Sequence, residues 1–236
     1  MRIKSIIFLV TLFSLQVSYS QITLDSSTES AMIELSVRNQ IKSLDNNQVI
    51  DLAVTKGSPY LNEVFAPGTV NVASSDQNLG YQMRYNIYND RIEVENDNTI
   101  YALIKDSDYS YKILDRTFVY LGFKYRNEVL RKGYFQKLTN GKVSLLLRYT
   151  CNYEPEKVGK PPVFKVTPAR FTVKKSYYIM VDDQLTSIST NKKKLLEAFG
   201  SYKTKVKSYI NSNKLKPGNE RDLIRIITYY NSLLEK

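Results

Sequence analysis

Residues 81–95 read YQMRYNIYNDRIEVE. Tyr81, Met83, Tyr85 and Ile87 alternate with Gln82, Arg84 and Asn86, the two-residue period of a strand with one apolar and one polar face. Asn89-Asp90 is a tight-turn pair. After it Ile92 and Val94 alternate with Arg91, Glu93 and Glu95, so the chain returns as a second strand beside the first. The polar face of this hairpin carries Arg84 and Asn86 on one strand and Arg91 and Glu93 on the other. These four form either a cross-strand polar ladder that serves the sheet or a ligand site on its open face.

The same rhythm spreads outward. Gly57-Ser58-Pro59-Tyr60-Leu61-Asn62 is punctuation, and Ala66-Pro67-Gly68 turns the chain into a strand over 69–73. Downstream, Asn96-Asp97-Asn98 and Asp106-Ser107-Asp108 are turns between short strands at 99–104, 111–114 and 117–125. Thr139-Asn140-Gly141 lies between alternating runs at 129–138 and 142–153, a strong hairpin signal. Residues 154–168 (EPEKVGKPPVFKVTP) hold four prolines and read as a loop or edge excursion. Strands resume at 171–181, turn at Asp182-Asp183 and run to Ile188. The end is helical. Asn191 or Thr190 caps a helix with Leu195, Leu196 and Phe199; Tyr202, Val206 and Tyr209 share the next face. Pro217-Gly218 stops that helix, and Asn219 caps a last one striped by Leu223, Ile226, Ile227, Tyr230, Leu233 and Leu234. The predicted fold class is α+β: an antiparallel β-meander, curved, sandwich-like or a partial barrel, capped by C-terminal helices. The parts are a leader at 1–20, a polar arm at 21–56, a β body at 57–189 and a helical cap at 190–236. Ile33, Val37, Ile41 and Leu44 recur at helical spacing and predict a helix over 31–44 in the arm.

Composition narrows the chemistry. Tyrosine is abundant at 19 residues, with 9 phenylalanines and no tryptophan, which favours half-buried strands and weakens a sugar-stacking groove. There is no histidine, so Ser-His-Asp and Cys-His catalysis and His-ligated metal sites are excluded. Cys151 is the single cysteine and lies in an apolar alternating run. It reads as a structural thiol, with an intermolecular bond as the alternative. No cofactor and no metal site is expected. Asp106 with Asp108, Asp182 with Asp183, and Glu95 with Asp97 are the acidic clusters, and paired carboxylates could run glycosidase chemistry or hold calcium. All fall at turns, where Asp is favoured for backbone reasons.

The N-terminus has a positive start at Arg2 and Lys4, an apolar run over 5–15 and Ser18 and Ser20 before Gln21. That is the pattern of a cleavable secretory signal peptide, and the apolar run is about half a membrane span. Gln21 stands where a lipoprotein would carry cysteine. The expected compartment is the periplasm, or else the extracellular space, with no membrane-spanning segment after cleavage. The formal charge of +11 is uneven: residues 191–236 hold 11 basic and 4 acidic side chains. Lys192, Lys193 and Lys194 lead into Lys203, Lys207 and Lys214, and the last three share one helical stripe at 100° per residue. These six are candidates for binding an anionic polymer, or they form a solvated helix face. No nucleic-acid motif accompanies them, which disfavours that partner.

Gly57-Ser58-Pro59-Tyr60-Leu61-Asn62 with Phe65, Met83-Arg84-Tyr85-Asn86 and the C-terminal segments 192–199 and 222–234 resemble a group of secreted and periplasmic β-rich proteins of Bacteroidota. The resemblance covers residues 57–234 and implies compartment and lineage, not a site. Two readings of function follow. The first is a non-enzymatic cell-envelope protein that binds an envelope protein or an anionic polymer through a sheet face or the proline-rich segment. The second is a carboxylate-dependent hydrolase of envelope polysaccharide or peptide, which requires acids converging in a concave pocket.

Overall fold

The computed structural model describes residues 32–35, 40–42, 49–72, 78–97, 99–125, 129–160 and 164–235. The predicted leader at 1–20 and the first part of the predicted arm lie outside them. The strands are β1 (Met32–Leu35), β2 (Gln40–Lys42), β3 (Val49–Asp51), β4 (Ala66–Val72), β5 (Asn78–Asn86), β6 (Arg91–Asn96), β7 (Thr99–Leu103) and β8 (Tyr109–Ile113). There follow β9 (Arg116–Tyr125), β10 (Val129–Lys137), β11 (Ser144–Glu154), β12 (Lys157–Val158), β13 (Val166–Thr167), β14 (Arg170–Val181) and β15 (Gln184–Ile188). Three helices close the chain: α1 (Lys192–Glu197), α2 (Lys203–Ser212), preceded by a 3₁₀ turn at Gly200–Tyr202, and α3 (Glu220–Leu234).

Eleven strands form one antiparallel sheet in the order β1-β7-β6-β5-β4-β8-β9-β10-β11-β14-β15. The meander and its helical cap are as the alternation predicts. The arm differs. Where helical spacing predicts a helix over 31–44, β1 pairs with β7 at the sheet edge and β2 pairs with β3. Ile33 and Ile41 are β-branched, and an edge strand to pair with outweighs a weak helical period.

The sheet curls strongly. Tyr85 on β5 lies 5.2 Å from Phe118 on β9, 5.8 Å from Tyr134 on β10 and 6.4 Å from Tyr149 on β11, between ring centroids. β11 stands five strands from β5, which would be about 24 Å in a flat sheet at ~4.8 Å per step. Only curvature brings those rings together. The same face receives the helices, through Leu195, Phe199, Val206, Ile210, Leu223, Ile226 and Ile227. A second core forms on the opposite face, where Phe123, Phe135 and Leu146 pack with Val119, Leu121, Tyr178, Met180 and Leu185. β15 thereby returns against β9.

The helix caps follow the sequence. Asn191 accepts the backbone N–H groups of Lys193 and Lys194, and Asn219 accepts that of Asp222. Asp182 and Asp183 both have positive φ, 45° and 61°, between the paired residues Val181 and Gln184. This is the two-residue primed hairpin turn, so their carboxylates are turn residues. The Asn140-Gly141 connection is longer than the predicted tight turn. Residues 138–143 span it, Gly141 has φ 130°, and Thr139 Oγ1 accepts the Leu145 N–H at 2.9 Å. Asn231 of α3 secures it: its Oδ1 accepts the Val143 N–H and its Nδ2 donates to the Val143 carbonyl, each at 2.8 Å.

Candidate functional site

The polar face of the β5–β6 hairpin is not open. Arg84, Asn86 and Glu93 are all buried. Arg84 and Glu93 are directly paired across the strands, as are Asn86 and Arg91. Arg84 Nε donates to Glu93 Oε2 at 2.7 Å, and Asn86 Nδ2 donates to Glu93 Oε1 at 2.7 Å. Arg84 Nη2 donates to the Tyr60 hydroxyl at 2.9 Å and Nη1 to the Glu63 carbonyl at 3.3 Å. The guanidinium also stacks on two rings, with Cζ 3.8 Å from the Tyr60 centroid and 4.4 Å from that of Phe65. Arg91 stays half-exposed, its Nε 3.6 Å from Glu93 Oε1. Burial, followed by the Glu93 charge, pushes the Tyr60 phenol up to about 12.

The segment 57–65 explains this. It has no regular structure, yet it lies along β5: the Leu61 N–H donates to the Tyr85 carbonyl and the Ile87 N–H to the Pro59 carbonyl. Tyr60 and Phe65 lid the polar face and turn a half-buried strand into one buried on both sides. The four predicted residues are brought together as the ladder, with Arg84 and Asn86 satisfying the two Glu93 oxygens and the buried Arg91 Nε left without a hydrogen bond among the described residues. A buried pair needs that full set of partners, because an unmatched ion there is costly.

An open hollow of about 500 Å³ adjoins the network, lined by Glu63, Val64, Phe65, Gln82, Arg84, Glu95 and Ile100. Two glutamates, Glu63 and Glu95, border it. Asp106, Asp108, Asp97, Asp182 and Asp183 are exposed on turns instead. Asp106 Oδ1 accepts the Asp108 N–H, a local turn bond. Among the described residues no group of three metal-ligating side chains converges.

A polar cluster that sequence reasoning missed sits in the seam between β10 and β11. Their ladder pairs Gln136 with Leu147 and Lys137 with Leu146, and then the strands separate. Asp90, from the β5–β6 turn, enters the gap. Its Oδ1 accepts the Tyr134 N–H at 3.3 Å and the Tyr85 hydroxyl at 2.6 Å, and its Oδ2 lies 3.4 Å from Arg148 Nη2. Arg148 Nη1 reaches the Tyr134 carbonyl at 3.5 Å. The ion pair thus replaces ladder bonds that Tyr134 would otherwise make to β11. Gly133 leaves room for it: a Cβ there would lie 1.8 Å from Arg148 Nη1. This cluster joins distant strands and is structural.

Lys203, Lys207 and Lys214 do not share one helical stripe. Lys203 and Lys207 lie on α2, but Lys214 lies beyond its end with φ 51°. Lys203 pairs with Glu197 at 2.7 Å, and Lys192 Nζ donates to Asn211 Oδ1. Lys193, Lys194, Lys207 and Lys214 are exposed. Cys151 is half-buried and free, and burial pushes its thiol up to about 11, which suits a packing role.

The proline-rich segment differs most from a plain loop. β11 and β14 stay paired out to Glu154 and Arg170, which also form an ion pair at 2.9 Å. The chain between them leaves the sheet and folds on itself as β12–β13, pairing Lys157 with Thr167 and Val158 with Val166. Val158 is 63% exposed, Phe164 68% and Val166 52%. None of the described helices is long and apolar enough to cross a membrane. Set against known proteins, the chain matches no family model, no curated protein and no solved structure.

Proposed function

We propose that this chain is an exported, non-catalytic protein of the cell envelope that binds a partner through its β12–β13 hairpin, within the Bacteroidota group it resembles. One observation carries the reading: three large apolar side chains, Val158, Phe164 and Val166, are held outward on a paired hairpin. Clustered exposed apolar groups mark interaction sites, whereas single ones are ordinary. The Arg84–Glu93 pairing and the turn positions of Asp97, Asp182 and Asp183 support it, because they tie these groups to the sheet and its turns. The test places a photoreactive side chain at residue 164 and, as a control, at Leu130, which is 72% exposed on β10. Adducts formed in the native envelope from 164 but not from 130 are expected. No adduct from 164 sinks the reading.

The hollow beside Arg84 favours a second reading, the carboxylate-dependent hydrolase, because Glu63 and Glu95 both border it. Cleavage of envelope polysaccharide or peptide that is lost in Glu63→Gln would establish it in place of the first.

A further inference from the structure

The hairpin has a chemistry that selects among partners. In an antiparallel pair, directly opposed residues share a face, as do residues two apart on one strand. Val158 opposes Val166, and Phe164 precedes Val166 by two, so the three present one apolar face. The Gly159 N–H to the Lys165 carbonyl, at 2.9 Å, extends the pairing towards the tip. By the same alternation Lys157 and Lys165 project from the opposite face, while Lys160 follows Val158 by two; all three are exposed, against a single exposed acid, Glu156. At the base Arg170 and Glu154 neutralise each other. The hairpin is therefore apolar on one face and mainly cationic on the other.

Three kinds of occupant compete. A second copy of the hairpin packed apolar face to apolar face would join only three apolar side chains from each protomer, too small a contact to hold a dimer. A folded acidic protein would match the charge, but a stable complex buries about 800 Å² per partner with shaped complementarity. Strands of two residues each offer far less than that. A bilayer demands neither area nor fitted shape. It takes an apolar side chain at the headgroup–acyl boundary and a lysine on an anionic headgroup.

Resting on the reading of this hairpin as the contact element, we propose that it docks on an anionic membrane surface. Val158, Phe164 and Val166 enter the headgroup–acyl boundary, and Lys157 and Lys165 extend from the opposite face to snorkel, with Lys160, onto the headgroups. The chain has no tryptophan, so Phe164→Trp gives a fluorophore at the face alone. Purified protein carrying it is mixed with phosphatidylcholine vesicles, or with vesicles of phosphatidylcholine and phosphatidylglycerol in equal parts. Leu130→Trp is the control, so attachment through any other part of the chain leaves the signal at 164 unmoved. The expected result is a blue shift at 164 with the anionic vesicles only, and none at 130. Adding Lys157→Glu and Lys165→Glu should weaken partitioning at least about 25-fold, at about fivefold per lysine lost. No shift with either vesicle overturns the proposal, and so does an equal shift with both. If 164 still crosslinks to a protein in the envelope, the docking reading survives and the lipid assignment alone fails. If both signals are absent, both fall.

Discussion

Lys214 closes α2 in a backbone conformation that glycine usually supplies. Its N–H donates to the Asn211 carbonyl and that of Leu215 to the Ile210 carbonyl, the paired bonds that end a helix with a left-handed residue. Leu215 and Ile210 are both buried in the main core, so the stop is fixed by packing. A Cβ in this conformation costs about 1–2 kcal/mol, part of which glycine returns as unfolded-state entropy. Lys214→Gly should therefore stabilise the protein by about 1 kcal/mol, a rise in Tm of roughly 2–4 °C by thermal denaturation. A fall in Tm would show that the lysine side chain matters more than its backbone. In the sequence Lys214 looks like a helical charge, because a hundred-degree period carries no notice of where the helix stops. Asn231 hid similarly. It stands four residues after Ile227 in the apolar stripe of α3, and a polar residue in such a stripe is itself the signal that it has a buried backbone to serve.

Elements read better than their partners. Each strand of the large sheet between 66 and 188 was legible from alternation and turn residues, since those are local properties, whereas β12 and β13 in the proline-rich segment were not. What covers or separates strands was not. The polar face of β5 looks like a solvent face until Tyr60 and Phe65 close over Arg84. Asp90 looks like half of a turn pair, and its partner Arg148 lies 58 residues away. The β10–β11 seam makes a sharp expectation. Gly133→Ala puts a methyl where Arg148 and Asp90 meet, and should cost about 2–3 kcal/mol by urea denaturation. Arg148→Ala should cost a similar amount by stranding the half-buried Asp90. Together the two should cost at least about 1 kcal/mol less than their sum, because removing the arginine removes the main obstacle. Strict additivity would mean that Gly133 is needed for some other reason.

For the molecule as a whole, the tyrosines set an alkaline boundary. Burial pushes the phenols of Tyr60, Tyr111 and Tyr149 up to about 12, and those of Tyr85 and Tyr134 upward as well. Unfolded phenols ionise near about 10. Below that value the contribution to stability is complete. Between the two, the unfolded chain loses protons that the native one keeps, so stability falls by up to about 1.4 kcal/mol per pH unit for each such group. The share of the phenolate absorbance that belongs to these five rings, identified by its loss in their Phe variants, should appear together with the loss of circular dichroism as pH rises from about 10 to 12. Ionisation of these rings with the sheet intact would contradict their burial. Within the sheet, β4 has a singular position. Residues 68–71 pair on one side with β5 and on the other with β8, and among the described residues no other strand pairs the β1–β7–β6–β5 group with the rest. Its amides can exchange with solvent only when that junction parts, so seven residues govern whether the two groups of strands melt as one body.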